Sequence, residues 1–95
     1  MNFTKVENMQ SAKGNDIANQ FVMTDKSGNI TFQSYDSVIA VKTRHINGNR
    51  KILLDTNYWD YSVTTGKYRN LFLGEKKAET QRKIDSGEYE LRDLN

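Results

Sequence analysis

The chain has 95 residues with a formal net charge of +2; 36% of it is hydrophobic and 27% charged. That length makes one domain with a modest core, burying roughly 60–65% of the unfolded surface. No cysteine or proline is present, which excludes disulfides, thiolate metal sites, cysteine nucleophiles and cis-proline turns. No run approaches the ~20 apolar residues of a membrane span, and Met1 to Glu7 holds no signal-like apolar stretch. Small secreted domains usually carry disulfides, so a cytoplasmic location is expected. One Trp, five Tyr and four Phe argue against disorder.

Residues 1–19 are polar, with Phe3 and Val6 as a short edge strand, and are otherwise expected to be partly irregular. Phe21-Val22-Met23-Thr24 and Ile30 to Tyr35 read as a hairpin around Asp25-Lys26-Ser27-Gly28-Asn29, whose glycine and asparagine tolerate positive φ. Val38 to Thr43 is apolar on both faces at its start and is placed centrally in a sheet. A turn at Asn47-Gly48-Asn49, with His45 beside it, leads to a returning strand, Lys51 to Asp55. After Tyr58 the apolar period lengthens from two to between three and four. Tyr61, Tyr68, Leu71 and Phe72 would share a helical face, with Asp60 or Ser62 as N-cap, giving a helix over 63–72 that ends at Gly74. A second helix is expected over 75–86, with a Glu79–Lys83 pair and a stop at Gly87. Tyr89 and Leu91 would then point inward from a final strand over 88–92 that could return to the sheet. The fold class is α+β: an antiparallel sheet of four to five strands, a meander over about 20–55 plus the C-terminal strand, with two short helices on one face.

The residue inventory argues against an enzyme. A lone histidine with scattered carboxylates is poor material for zinc. Asp55 to Asp60 offers oxygens but lacks the glycine and closing glutamate of a calcium loop, and the simpler role for Asp60 is to cap a helix. No nucleophile motif is present. No metal or cofactor is expected. Two binding surfaces stand out. Lys42, Arg44, Arg50 and Lys51 flank one hairpin turn without an intervening acid, which suits a nucleic acid or an acidic protein surface. Thr64, Thr65, Lys67 and Arg69 lie at a helix start, where free N–H groups and cations suit a phosphate or carboxylate. Trp59 and Tyr61 could stack a base beside them, although the change of period makes Trp59, Tyr68 and Phe72 better suited to packing the joint between sheet and helix. A thin core and an open edge strand favour homo-oligomerisation.

Several blocks occur together: Gly14 to Phe21, Phe32-Gln33-Ser34-Tyr35, the segment Trp59-Asp60-Tyr61-Ser62-x-Thr64-Thr65-x-Lys67-Tyr68-Arg69-Asn70-x-Phe72-Leu73-Gly74, and the ending Ile84-x-Ser86-Gly87-Glu88-Tyr89-x-Leu91. With them the chain resembles a family of small uncharacterised proteins encoded by bacteriophages and other bacterial mobile elements, over residues from about 9 to 95. The resemblance implies a bacterial host cell and carries over no functional residue. The expected role is a non-catalytic binding protein that occupies a protein or nucleic-acid surface, as an inhibitor of a bacterial defence system. The alternatives are a nucleotide- or anion-sequestering protein and an assembly protein of a virion or replication complex.

Overall fold

The computed structural model describes residues 3–44 and 50–95. In chain order they form β1 (Phe3–Gln10), β2 (Asp16–Asp25), β3 (Ile30–Ser34), β4 (Ser37–Lys42), β5 (Ile52–Asp55), α1 (Val63–Leu73), α2 (Lys77–Asp85) and β6 (Tyr89–Arg92). The fold is α+β, built on a 6-stranded sheet in the order β1-β2-β3-β4-β5-β6. Neighbours run antiparallel except β5 and β6, which are parallel. The expected meander is present. The wholly antiparallel sheet is not: a tight turn permits only an antiparallel neighbour, whereas the long connection through both helices allows β6 to return parallel to β5.

The polar N-terminal segment is also more regular than its composition suggests. β1 pairs antiparallel with β2 from Asp25 back to Asp16 to form a hairpin, with register shifts between Phe3 and Lys5 and between Asn8 and Gln10. Its pairing is carried by main-chain bonds, and an outer strand has no second neighbour demanding apolar side chains. The expected hairpin turn around Asn47 and its neighbour His45 lie outside the described residues.

The core follows from register. Val22, Phe32, Ala40 and Leu54 are successive cross-strand partners on the face that carries the helices. Phe32, Ala40 and Leu54 are fully buried. Phe72 of α1 lies on Phe32, with ring centroids 5.6 Å apart; burying such a side chain contributes about 1.5–3 kcal/mol. β4 is central, as expected, and a bulge opposite Phe32 and Gln33 inserts Ile39 into the same apolar cluster. The Asn95 amide donates to the Val38 carbonyl (3.0 Å) and accepts from its N–H (2.8 Å), binding the last residue to β4. On the opposite face Met23, Thr31, Val41 and Leu53 make a second buried row.

Tyr35 was expected to extend β3. It sits instead in the turn between Ser34 and Ser37, at φ 54, a conformation uncommon for a bulky residue. Its N–H donates to the Asn19 carbonyl (2.7 Å) and its carbonyl accepts from Gln33 Nε2 (2.8 Å). Together these contacts hold the turn.

Asp55 organises the exit from the sheet. Its carboxylate is fully buried and accepts from the backbone N–H groups of Asn57 (3.0 Å), Tyr58 (2.9 Å) and Leu94 (2.8 Å). Burial pushes its pKa up, but these donors and the Asn95 amide outweigh burial and hold it below the usual carboxylate value. Both helix stops are as expected: Gly74 adopts φ 73 and Gly87 φ 83, left-handed values open to glycine.

Candidate anion site at the start of helix α1

α1 presents an unexpected face to the sheet. The apolar period pointed to Tyr61, Tyr68, Leu71 and Phe72. Yet Tyr61 precedes the helix and is exposed, as is Leu71, and of the four Phe72 alone is buried. The buried stripe is Thr65, Gly66, Arg69 and Phe72, which also fits one helical face. Three of its four members are not large apolar residues, so a hydrophobic period cannot reveal it. Ser62 is the N-cap, its hydroxyl accepting from the Thr65 N–H at 3.1 Å. Asp60, the other candidate, is engaged elsewhere.

Arg69 is 1% exposed. One guanidinium nitrogen donates to the Trp59 carbonyl (2.7 Å) and to Asp60 Oδ1 (3.2 Å), and the other to Asn70 Oδ1 (3.0 Å). Its Nε has no partner. The Trp59 ring lies 5.2 Å from the guanidinium carbon, within cation–π range. Asp60 also binds Lys77 at 2.6 Å. Burial pushes the Asp60 carboxyl up; the hydrogen bonds and charges of Lys77 and Arg69 offset this and hold it below its usual value.

These groups border a cavity of about 630 Å³ lined by Asp60, Tyr61, Ser62, Val63, Gly66, Lys67, Arg69, Asn70 and Lys77. Among the lining residues Lys67, Arg69 and Lys77 are cationic and Asp60 is the one acid, beside a helix N-terminus whose dipole favours anions. Of the residues singled out from the sequence, the structure therefore brings together Tyr61, Lys67 and Arg69. Thr64 is exposed and does not line the cavity. Thr65 is buried, its hydroxyl bonded to Ser34 Oγ at 3.0 Å. Trp59 is half-buried, packs against the core and does not line the cavity. Asn70 and Lys77 were missed. A helix start read alone does not show that the following helix folds back to deliver Lys77.

Of the four cations of the hairpin, Arg44 and Arg50 both lie against Gly28, whereas Lys42 and Lys51 have partners of their own. Lys42 lies on the helix-bearing face, with Nζ 4.3 Å from the Phe72 ring centroid; burial first, and the charge of Arg50 second, hold it below the usual lysine value. Lys51 is paired with Glu90 at 2.7 Å, a residue in register with Leu53 on the other face. Arg50 donates to the carbonyls of Gly28 (3.0 Å) and Lys42 (3.3 Å), and Arg44 is exposed.

A second polar cluster was not anticipated. Glu75 accepts from Lys83 (2.9 Å), Tyr89 (2.7 Å) and Thr80 (2.6 Å), tying α2 to β6. The expected Glu79–Lys83 pair is therefore replaced: Lys83 turns to Glu75, and Glu79 pairs with Arg82. Burial and the Glu75 hydrogen bond push the Tyr89 hydroxyl up to about 12.

A family model, described as a family of unknown function (DUF8033), matches residues 4–88. The chain belongs to this family. The match runs from β1 to the residue before β6 and so takes in the whole α1 cavity. No curated protein and no solved structure matches the chain. Among the described residues, no group of three or more His, Cys, Asp or Glu could hold a metal ion, and no helix is long and apolar enough to cross a membrane.

Proposed function

We propose that this DUF8033 protein is a non-catalytic binding protein whose ligand carries a phosphate or carboxylate, held in the cavity at the start of α1. The observation that supports this reading best is Arg69: a fully buried guanidinium with an unpartnered Nε, lining a cavity with Lys67, Asn70 and Lys77. Unpaired buried donors are costly and uncommon in native structures. In this reading Lys67 and Lys77 meet the anion, Arg69 supplies positive charge from beneath, and Asp60 is the internal counter-charge that an arriving anion displaces from Lys77. Tyr61, 47% exposed, flanks the same cavity and supplies a ring face for a base, which favours a nucleotide over a bare anion. The resemblance to small proteins of phages and mobile elements supports a role in the cytoplasm of a bacterial host, where withholding a nucleotide would inhibit a defence response.

The test is calorimetric titration and thermal shift with inorganic phosphate, pyrophosphate and a panel of mono-, di- and cyclic nucleotides. Saturable binding that weakens at least about tenfold in the Lys67→Ala/Lys77→Ala double variant is expected. A flat response to the whole panel at low salt overturns the proposal.

A further inference from the structure

β1 is the outermost strand of the sheet, with β2 on one side and no strand on the other among the described residues. Its outward N–H and C=O groups form an open template for another strand. Between its two register shifts lies a regular stretch, Lys5-Val6-Glu7-Asn8. The pairing with β2 fixes its faces. Lys5 and Glu7 oppose Thr24 and Val22, on the helix-bearing face, and Val6 opposes Met23 on the other. Lys5 and Glu7 are bonded to each other at 2.9 Å, with side chains 66% and 56% exposed, so both charges stand at the open edge. Val6 is 59% exposed there.

We propose that β1 pairs antiparallel with β1 of a second copy about a two-fold axis through Val6, joining the two sheets into one. This register sets Lys5 of each copy against Glu7 of the other and Val6 against Val6. A two-fold axis perpendicular to the sheet keeps both helical layers on one side and requires paired positions of equal parity. Among such registers, the neighbouring one toward the N-terminus places Lys5 against Lys5, and the neighbouring one toward the C-terminus places Glu7 against Glu7. Like charges directly opposite are destabilising and opposite charges favourable, so the two charges select the Val6-centred pairing and guard the edge against the others. Glu7 also borders a cavity of about 680 Å³ on the helix-bearing face, together with Met9, Val22 and the 59%-exposed Leu71; the partner's Lys5 would lie across its rim. The ladder is confined between two bulges, so the contact is small and the dimer weak.

The test is sedimentation equilibrium of the full chain from about 10 to 500 µM, a range chosen for a small interface, with folding checked by circular dichroism. Concentration-dependent dimerisation is expected. Lys5→Glu alone and Glu7→Lys alone each place like charges opposite one another and should weaken self-association about tenfold. An equimolar mixture of these two variants restores opposite charges at both pairs and should form a heterodimer at wild-type strength. A monomer throughout the concentration range overturns the proposal, and so does a dimer indifferent to both substitutions. Failure of the mixture to recover, with both variants folded, overturns the register.

Discussion

Two carboxylates in the helical layer are bonded by cations, and they differ in a way that separates scaffold from site. Glu75 has a side chain only 8% exposed, and both its oxygens are engaged, by Lys83 and Tyr89 on one and Thr80 on the other. That cluster is closed. Asp60 is 31% exposed and bridges Arg69 and Lys77 at the edge of a cavity, next to an unpartnered donor on Arg69. A buried polar cluster whose bonding capacity is filled fixes geometry; a partly exposed carboxylate holding cations at the edge of a cavity can give one of them up to a ligand.

Disrupting the closed cluster should have the largest effect. Glu75→Ala leaves Lys83, Tyr89 and Thr80 without their acceptor and should cost about 2–3 kcal/mol, read as a fall in Tm of roughly 10 °C or more in thermal denaturation. Removing the open carboxylate should do the opposite to function at little cost to folding. Asp60→Asn retains a side-chain acceptor for Arg69 but removes the competing charge, so phosphate or nucleotide affinity should rise about tenfold while the loss of stability stays smaller than in Glu75→Ala. Equal losses of stability in the two variants would erase the distinction between the clusters.

Titration gives a third comparison. Asp55, Asp60 and Glu75 all have carboxyl pKa values held low. Their contribution to stability is complete above the unfolded values near 4 and is lost as pH falls through the lower folded values. Tyr89 is raised from 10.0 to about 12, so its contribution is present below pH 10 and lost between there and about 12. Urea midpoints measured against pH should form a plateau with shoulders at both ends. Glu75→Ala should reduce the alkaline shoulder, by removing the hydrogen bond that adds to burial, and Asp60→Asn should leave it intact. The smallest effect concerns Gly66. A methyl there would lie 3.6 Å from the Arg69 guanidinium, an ordinary contact, so Gly66→Ala should stabilise α1 by about 0.5–1 kcal/mol. By narrowing the cavity it should also lower ligand affinity; unchanged affinity would place the ligand away from the helix start.

The strands of the meander were legible because alternation of Ile30, Thr31, Phe32 and Gln33 and the run Val38 to Val41 report burial directly. Gly74 and Gly87 marked the helix ends for an equally local reason, since left-handed backbone favours glycine. The face of α1 was not legible. Thr65 and Arg69 are buried because Ser34 and the Trp59 carbonyl wait for them across the fold, and a hydropathy pattern treats such residues as solvent-facing. The candidate site was half legible: Tyr61, Lys67 and Arg69 are close in sequence, whereas Lys77 reaches the cavity only through the turn between the helices.

The sequence alone determined the α+β class, the absence of cysteine chemistry and the polar character of the segment after Tyr58, because composition and short-range period are properties of the chain itself. Tertiary structure decided the direction of β6, the closure of the Glu75 cluster and the opening beside Asp60. Each depends on which distant groups meet a buried polar atom, and the free energy of such an atom is set by its partner rather than by its neighbours in the chain.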